Sequence, residues 1–223
     1  MATEKGVVVE YDFAAMDGAG LLFETTKRFL AALDSIPLDS AAEAKYLAGG
    51  NYQGSLAEYF AVIKTKKTAQ KAGKDLDAAF RAALTAAIPS TVGASFRNFV
   101  KTLVDAGVKV VIATRADVEA VRSAFASVLS DRVVLYHEDS VTYGSVKWDA
   151  WRRACVANRI HHYAALAVTG SGYGVKSALR AGMASLAVVN DHVAYQDFSG
   201  VDEVVRELGA PAAKAALKIL RVE

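Results

Sequence analysis

Residues 164–183 read AALAVTGSGYGVKSALRAGM. The first five are a short apolar run that stops at Thr169-Gly170-Ser171, and residues 175–181 then follow a helical spacing of apolar and small side chains, so the stretch reads as strand, Gly-rich turn, helix. The same grammar extends outward. Residues 185–189 are a further apolar strand, and residues 148–159 ahead of the stretch read as a helix. Working back, 133–136 is a strand, 118–129 a helix, 109–113 a β-branched strand and 96–106 a helix. Strands alternating with helices over short connections predict a parallel sheet covered by helices on both faces, with ligands bound at the strands' carboxyl ends.

The N-terminal part adds one strand and a different kind of segment. Val7-Val8-Val9-Glu10 reads as a buried strand whose carboxyl end carries acidic groups. Residues 21–33 place Leu22, Phe29, Leu30 and Leu33 at helical spacing, and Pro37 stops the pattern. From 40 to 90 the pattern is helix, loop, helix with no strand-like run, including an exposed-face lysine series at Lys64, Lys66, Lys67, Lys71 and Lys74. The predicted fold class is α/β: a Rossmann-like parallel sheet with helices on both faces, formed by residues 1–18 and 91–223, plus an inserted α-helical cap over 19–90.

Composition narrows the function classes. With 26 Lys and Arg against 24 Asp and Glu, no global charge recommends nucleic acid or a membrane as partner, so the expected partner is a small molecule or another protein. The single cysteine, Cys155, can form neither an intrachain disulfide nor a thiolate metal cluster, and its apolar helical setting predicts a buried, inert thiol. Met1 to Lys5 lead directly into Val7, without a charged leader and apolar leader core, and no apolar run reaches membrane-spanning length. The expectation is a soluble, intracellular protein.

Taken in chain order, the strand ends present Glu10-Tyr11-Asp12, Thr114, Lys147 ahead of a helix, and Thr169-Gly170-Ser171. Glu10, Asp12 and Asp17 also keep the spacing of a first loop with acidic groups at one, three and eight, and residues 171–183 end in Ala-Gly-Met. This order resembles the haloacid dehalogenase-like hydrolase superfamily, in its phosphoglycolate phosphatase and β-phosphoglucomutase-like branch with a helical cap, over nearly the whole chain outside the cap. The resemblance implies a site in which the residue at Glu10 attacks a phosphoryl group, Asp12 serves as general acid and base, Thr114 and Lys147 hold phosphate oxygens, and Mg²⁺ bridges protein and phosphate oxygens.

Two positions depart from that family. The nucleophile position holds Glu10 in place of an aspartate, and an extra methylene moves the attacking oxygen by ~1 Å, a displacement that can reduce rate on the order of 10²-fold. The fourth strand ends in Thr169-Gly170 where the family carries an acidic pair, with no carboxylate until Asp191. Glu10 and Asp12 alone are a poor oxygen shell for Mg²⁺, so the expected affinity is well below the family norm. Each remaining residue also has a purely structural reading: Asp12 as a turn cap, Thr114 as a helix N-cap, Lys147 as a solvated side chain.

Gly172 and Gly174 are placed to offer backbone N–H groups to an anion. His161-His162 lack a third ligand of suitable spacing and read as surface residues, and Trp148, Trp151 and Tyr195 read as core or cap packing. The leading expectation is a haloacid dehalogenase-like protein with degenerate catalytic motifs, serving as a catalytically weak or inactive binding or assembly module. The alternative is a Mg²⁺-dependent phosphatase of a small phosphorylated metabolite, and a metal-free dehalogenase is a third, weaker reading.

Overall fold

A computed structural model describes residues 4–47, 52–137 and 148–222. Six strands, β1 (Gly6–Glu10), β2 (Lys109–Thr114), β3 (Val133–His137), β4 (Ala165–Thr169), β5 (Ala184–Val188) and β6 (Glu203–Val205), form one sheet in the order β3-β2-β1-β4-β5-β6 with every pairing parallel. The order reverses beside β1, between β2 and β4, so the carboxyl ends of these strands flank the switch point where open α/β sheets take their ligands.

Strand β1 shows why a continuous apolar run was needed. Val7 and Val9 face one core cluster together with Val110, Ile112, Leu166 and Val168, while Val8 faces the other with Val111, Ala165 and Ala167. Both faces are covered, so period-2 alternation of direction coexists with uniform apolarity. Helices α8 (Trp148–Ala157) and α9 (Gly172–Ala181) supply the second cluster; α6 (Ala94–Asp105) and α10 (Ala210–Leu220) pack on the first. Cys155 lies in the second cluster at 1% exposure, as expected, and burial pushes its thiol up to about 11.

Between β1 and α6 the described residues form helices and turns. A single turn, α1 (Tyr11–Ala14), is followed by α2 (Gly18–Asp34), α3 (Ser40–Ala42) running into a π-helical turn at Glu43–Leu47, α4 (Tyr52–Val62) and α5 (Ala69–Ala87). Helix α2 begins at Gly18, earlier than the hydrophobic spacing shows, because the Asp17 side chain accepts from the Gly20 N–H at 3.1 Å and so caps the free end. Leu30, Leu56, Leu76, Phe80 and Leu84 of these helices are fully buried in the same cluster as Val7, Val9 and Phe99, so the helical segment and that face of the sheet share one apolar interior. The lysine series at Lys64, Lys66, Lys67, Lys71 and Lys74 lies exposed.

Several boundaries correct the sequence reading. Helix α7 (Val118–Phe125) stops before residue 129, since the Ser130 side chain accepts from the Arg132 and Val133 N–H groups and turns the chain into β3. Helix α9 begins three residues earlier than 175, capped by Ser171 on the Gly174 N–H. Strand β6 and helix α10 have no counterpart in the sequence reading. The former is a three-residue exposed edge without a readable period, whereas Pro211 at the start of an Ala-rich run is a usable signal for the latter.

Phe80 touches Phe13 of α1 with ring centroids 6.3 Å apart and has no exposed surface, so it joins the helical segment to the end of β1. Phe80→Ala is expected to destabilise the chain by about 3–5 kcal/mol in urea unfolding, the range for a truncated buried aromatic ring. A loss under about 1 kcal/mol would mean that this junction does not hold the two parts together.

Candidate active site

Glu10 ends β1 and points with Val8 toward α8 and α9; Asp12, in the turn α1, is 1% exposed and Glu10 6%. Thr114 closes β2 and Thr169 closes β4, the strands on either side of β1. Three of the four expected site residues, Glu10, Asp12 and Thr114, therefore converge. Lys147, the fourth, lies outside the described residues.

The hydrogen bonds show what these groups do in the folded chain. Asp12 Oδ1 accepts from Thr114 Oγ1 at 2.7 Å, and Asp12 Oδ2 accepts from the Arg115 N–H at 2.8 Å with Arg115 Nε 3.6 Å away. Thr114 Oγ1 in turn accepts from the Ala116 N–H at 3.1 Å. Thr114 is not the N-cap of α7; Asp117 is, accepting from Ala120 N–H at 2.9 Å. Thr169 Oγ1 donates to Glu10 Oε2 at 2.5 Å, and the Gly170 backbone also donates to Glu10. Both carboxylates are thus engaged by neighbouring protein groups.

The departure at Thr169-Gly170 has a steric basis. A Cβ on Gly170 would lie 2.1 Å from the Phe13 carbonyl oxygen and 2.4 Å from its carbon, so the turn α1 rests directly on the Gly170 backbone and leaves no room for a carboxylate side chain. A Cβ on Gly174 would lie 1.9 Å from Thr169 Oγ1. The expected anion-binding donors are also engaged: the Gly172 N–H donates to Gln196 Oε1 at 2.8 Å and the Gly174 N–H to Ser171 Oγ at 3.0 Å.

These residues do not fit the Mg²⁺ that the resemblance implies. Glu10 and Asp12 accept from Thr169, Gly170, Thr114 and Arg115, and Asp191 lies in an exposed turn after β5. Among the described residues no group of three or more His, Cys, Asp or Glu comes together. Asp17 caps α2 and accepts from Asn190 Nδ2 at 3.0 Å, so it does not join the pair either.

Two cavities flank the turn α1. The one beside Glu10, Asp12, Thr114, Arg115, Tyr136 and Trp151 measures about 30 Å³, room for about one water where small-molecule pockets begin near 300 Å³. On the other side a cleft of about 990 Å³ opens over Tyr11, Phe13 and Phe96, with Arg28 and Arg206 at its edge. Of the aromatic residues read as packing, Trp151 is 2% exposed and forms part of the small cavity, while Tyr195 is 47% exposed. His161 and His162 stack on each other, ring centroids 4.8 Å apart, in the turn before β4.

Arg115 and Thr169 are the site residues that sequence reasoning passed over in these roles. Arg115 is 5% exposed, with its guanidinium 5.1 Å from the Phe13 ring centre and 5.9 Å from that of Phe80. The signal available was a charged residue directly after an apolar strand, which by itself does not say where the charge goes.

Burial pushes the Glu10 carboxyl from 4.5 up to about 7; the Arg115 charge and the Thr169 hydrogen bond oppose the shift and the Asp12 charge adds to it. Between those two values the folded chain keeps a proton that the unfolded chain has lost. This contribution to stability is complete below pH 4.5 and is lost as pH rises through about 7. Glu10→Gln is expected to remove a pH-dependent loss on the order of 3 kcal/mol across that window, read by urea unfolding of both proteins. Equal slopes in the two proteins would show that Glu10 titrates normally.

No family model matches the chain, and no curated protein matches it either. Solved structures do. CbbY from Rhodobacter sphaeroides in complex with phosphate aligns with TM-score 0.68 at 16% identity over 92% of this chain and 95% of that one. A HAD hydrolase, family IA, variant 3 from Entamoeba histolytica aligns with TM-score 0.71 at 13% identity over 97% and 99%. β-Phosphoglucomutase from Clostridium difficile aligns with TM-score 0.69 at 12% identity over 99% and 100%. The six-stranded parallel sheet, the acidic turn after β1 and these end-to-end alignments together give the chain the fold of the haloacid dehalogenase-like hydrolases.

Proposed function

We propose that this chain is a haloacid dehalogenase-like protein whose phosphotransfer site is retired, with residues 19–90 as its helical cap, and that it works as a binding or assembly module. The observation that carries this reading is the engagement of the Glu10–Asp12 centre: both carboxylates are held by neighbouring protein groups beside a cavity of about 30 Å³. An attacking carboxylate must be ionised and within reach of phosphorus. Burial pushes the Glu10 carboxyl up to about 7, which opposes its ionisation, and Glu10 is hydrogen-bonded to Thr169. Asp12 is committed to the loop after β2, which is a positioning task for that loop rather than proton transfer to a substrate.

The partner under this reading is a protein or a small metabolite bound away from Glu10, and the cleft of about 990 Å³ is where a small molecule has room. An intracellular setting belongs to the same proposal and rests on the buried free thiol of Cys155. Among the described residues no helix is long and apolar enough to cross a membrane.

The rival reading, a Mg²⁺-dependent phosphatase of a small phosphorylated metabolite, is favoured by one observation: a structure of the same fold carries phosphate. The two separate in an assay with an aryl phosphate and Mg²⁺. We expect no turnover above buffer, and none from Glu10→Asp, since a shorter nucleophile leaves the Gly170–Phe13 contact in place. Turnover at an ordinary enzymatic rate that Glu10→Ala abolishes would establish the phosphatase instead. Gly170→Asp is not a usable repair, because its side chain meets the Phe13 backbone.

A further inference from the structure

We propose that Arg115 is the resident counter-cation of the Glu10–Asp12 centre, taking the electrostatic place of a divalent metal, and that the same guanidinium fastens α5 across the site. The inference builds on the retired-site reading but concerns the cation, not the reaction.

Arg115 is the first residue after β2, and the parallel pairing of β2 with β1 brings it beside the turn α1. Its backbone N–H donates to Asp12 Oδ2 at 2.8 Å and its Nε stands 3.6 Å from the same oxygen, with both side chains at 5% exposure or less. Its charge also acts on Glu10, in the direction that favours the ionised form. One monovalent cation thus serves both carboxylates. A divalent ion would add two positive charges beside a buried guanidinium, without a third carboxylate among the described residues to meet them.

The surroundings select a guanidinium over a metal ion. Its centre lies 5.1 Å from the Phe13 ring centre and 5.9 Å from the Phe80 ring centre. Arginine is weakly hydrated and stacks on aromatic faces, whereas Mg²⁺ needs close to octahedral oxygen and keeps water. Phe13 belongs to the turn that rests on Gly170, and Phe80 belongs to α5. The cation is therefore held between the acidic centre and the helical segment, and its charge and the position of α5 are coupled.

The test is thermal unfolding and amide hydrogen exchange of the full chain in EDTA and in millimolar Mg²⁺, for the wild type, Arg115→Met, Arg115→Lys and the Asp12→Asn, Arg115→Met pair. We expect a wild-type Tm indifferent to Mg²⁺. Arg115→Met should raise the unfolding equilibrium constant roughly 10²-fold or more, because it leaves a buried carboxylate without its partner. It should also speed exchange in α5. The double variant should recover much of that loss, and Arg115→Lys little, since an ammonium cannot stack between the two rings. A wild-type Tm that climbs with Mg²⁺, or a double variant no more stable than Arg115→Met, would overturn the proposal. If Arg115→Met does not fold, the wild-type Mg²⁺ titration and the double variant still decide it. Phosphatase turnover with an Mg²⁺-indifferent Tm would sink the retired-site reading and leave the counter-cation standing.

Discussion

Strand β1 is hydrogen-bonded on both edges, to β2 and to β4, and covered on both faces, so Val7, Val8 and Val9 have no exposed surface. A strand in that position delivers its next residues to the carboxyl edge of the sheet at the point where the strand order reverses. Glu10, Tyr11, Asp12 and Phe13 occupy that point, and these four residues organise the edge. Glu10 meets the end of β4, Asp12 meets the end of β2, and Tyr11 and Phe13 close over the aromatic cluster of Phe96, Phe125 and Phe80. The central strand thus sets the site and the junction with the helical segment together.

Burying carboxylates there requires compensation, and the chain supplies it internally. Asp12 is matched by the Thr114 hydroxyl and by the backbone and guanidinium of Arg115. Glu10 is matched by Thr169 and by retaining a proton near neutral pH. An enzyme of this fold would direct such groups to a substrate and its metal. In this chain they satisfy one another. The Phe13 carbonyl rests on Gly170, so a side chain at that position would require the backbone to move.

The large cleft on the opposite side of α1 is a consequence of the same geometry. Odd positions after β1 turn Tyr11 and Phe13 away from Glu10, toward α6 and the segment after β6, and the space between α2 and those elements stays open. The two sides of one short turn therefore differ in kind: a hydrogen-bonded ion cluster on one, an apolar floor with charged edges on the other.

The sequence by itself determined five of the six strands, β1 to β5, and their alternation with helices. The β-branched and Ala-rich runs at β1, β2 and β4 and the helical spacings between them are local patterns that burial on both faces imposes, and the ends of those strands marked Glu10, Asp12, Thr114 and Thr169-Gly170 as the place to look. It also marked the absence of an acid at Gly170, though not the reason, which is a carbonyl oxygen from a residue far away in the chain. Only the tertiary structure decided where the Arg115 charge goes, because Asp12 is 103 residues away from it. The same holds for Thr169, whose partner Glu10 lies 159 residues away. Spacing along a chain reports which residues share a face of one element. Which charge neutralises which is decided when three strands bring their ends together, and that depends on distances no linear pattern contains.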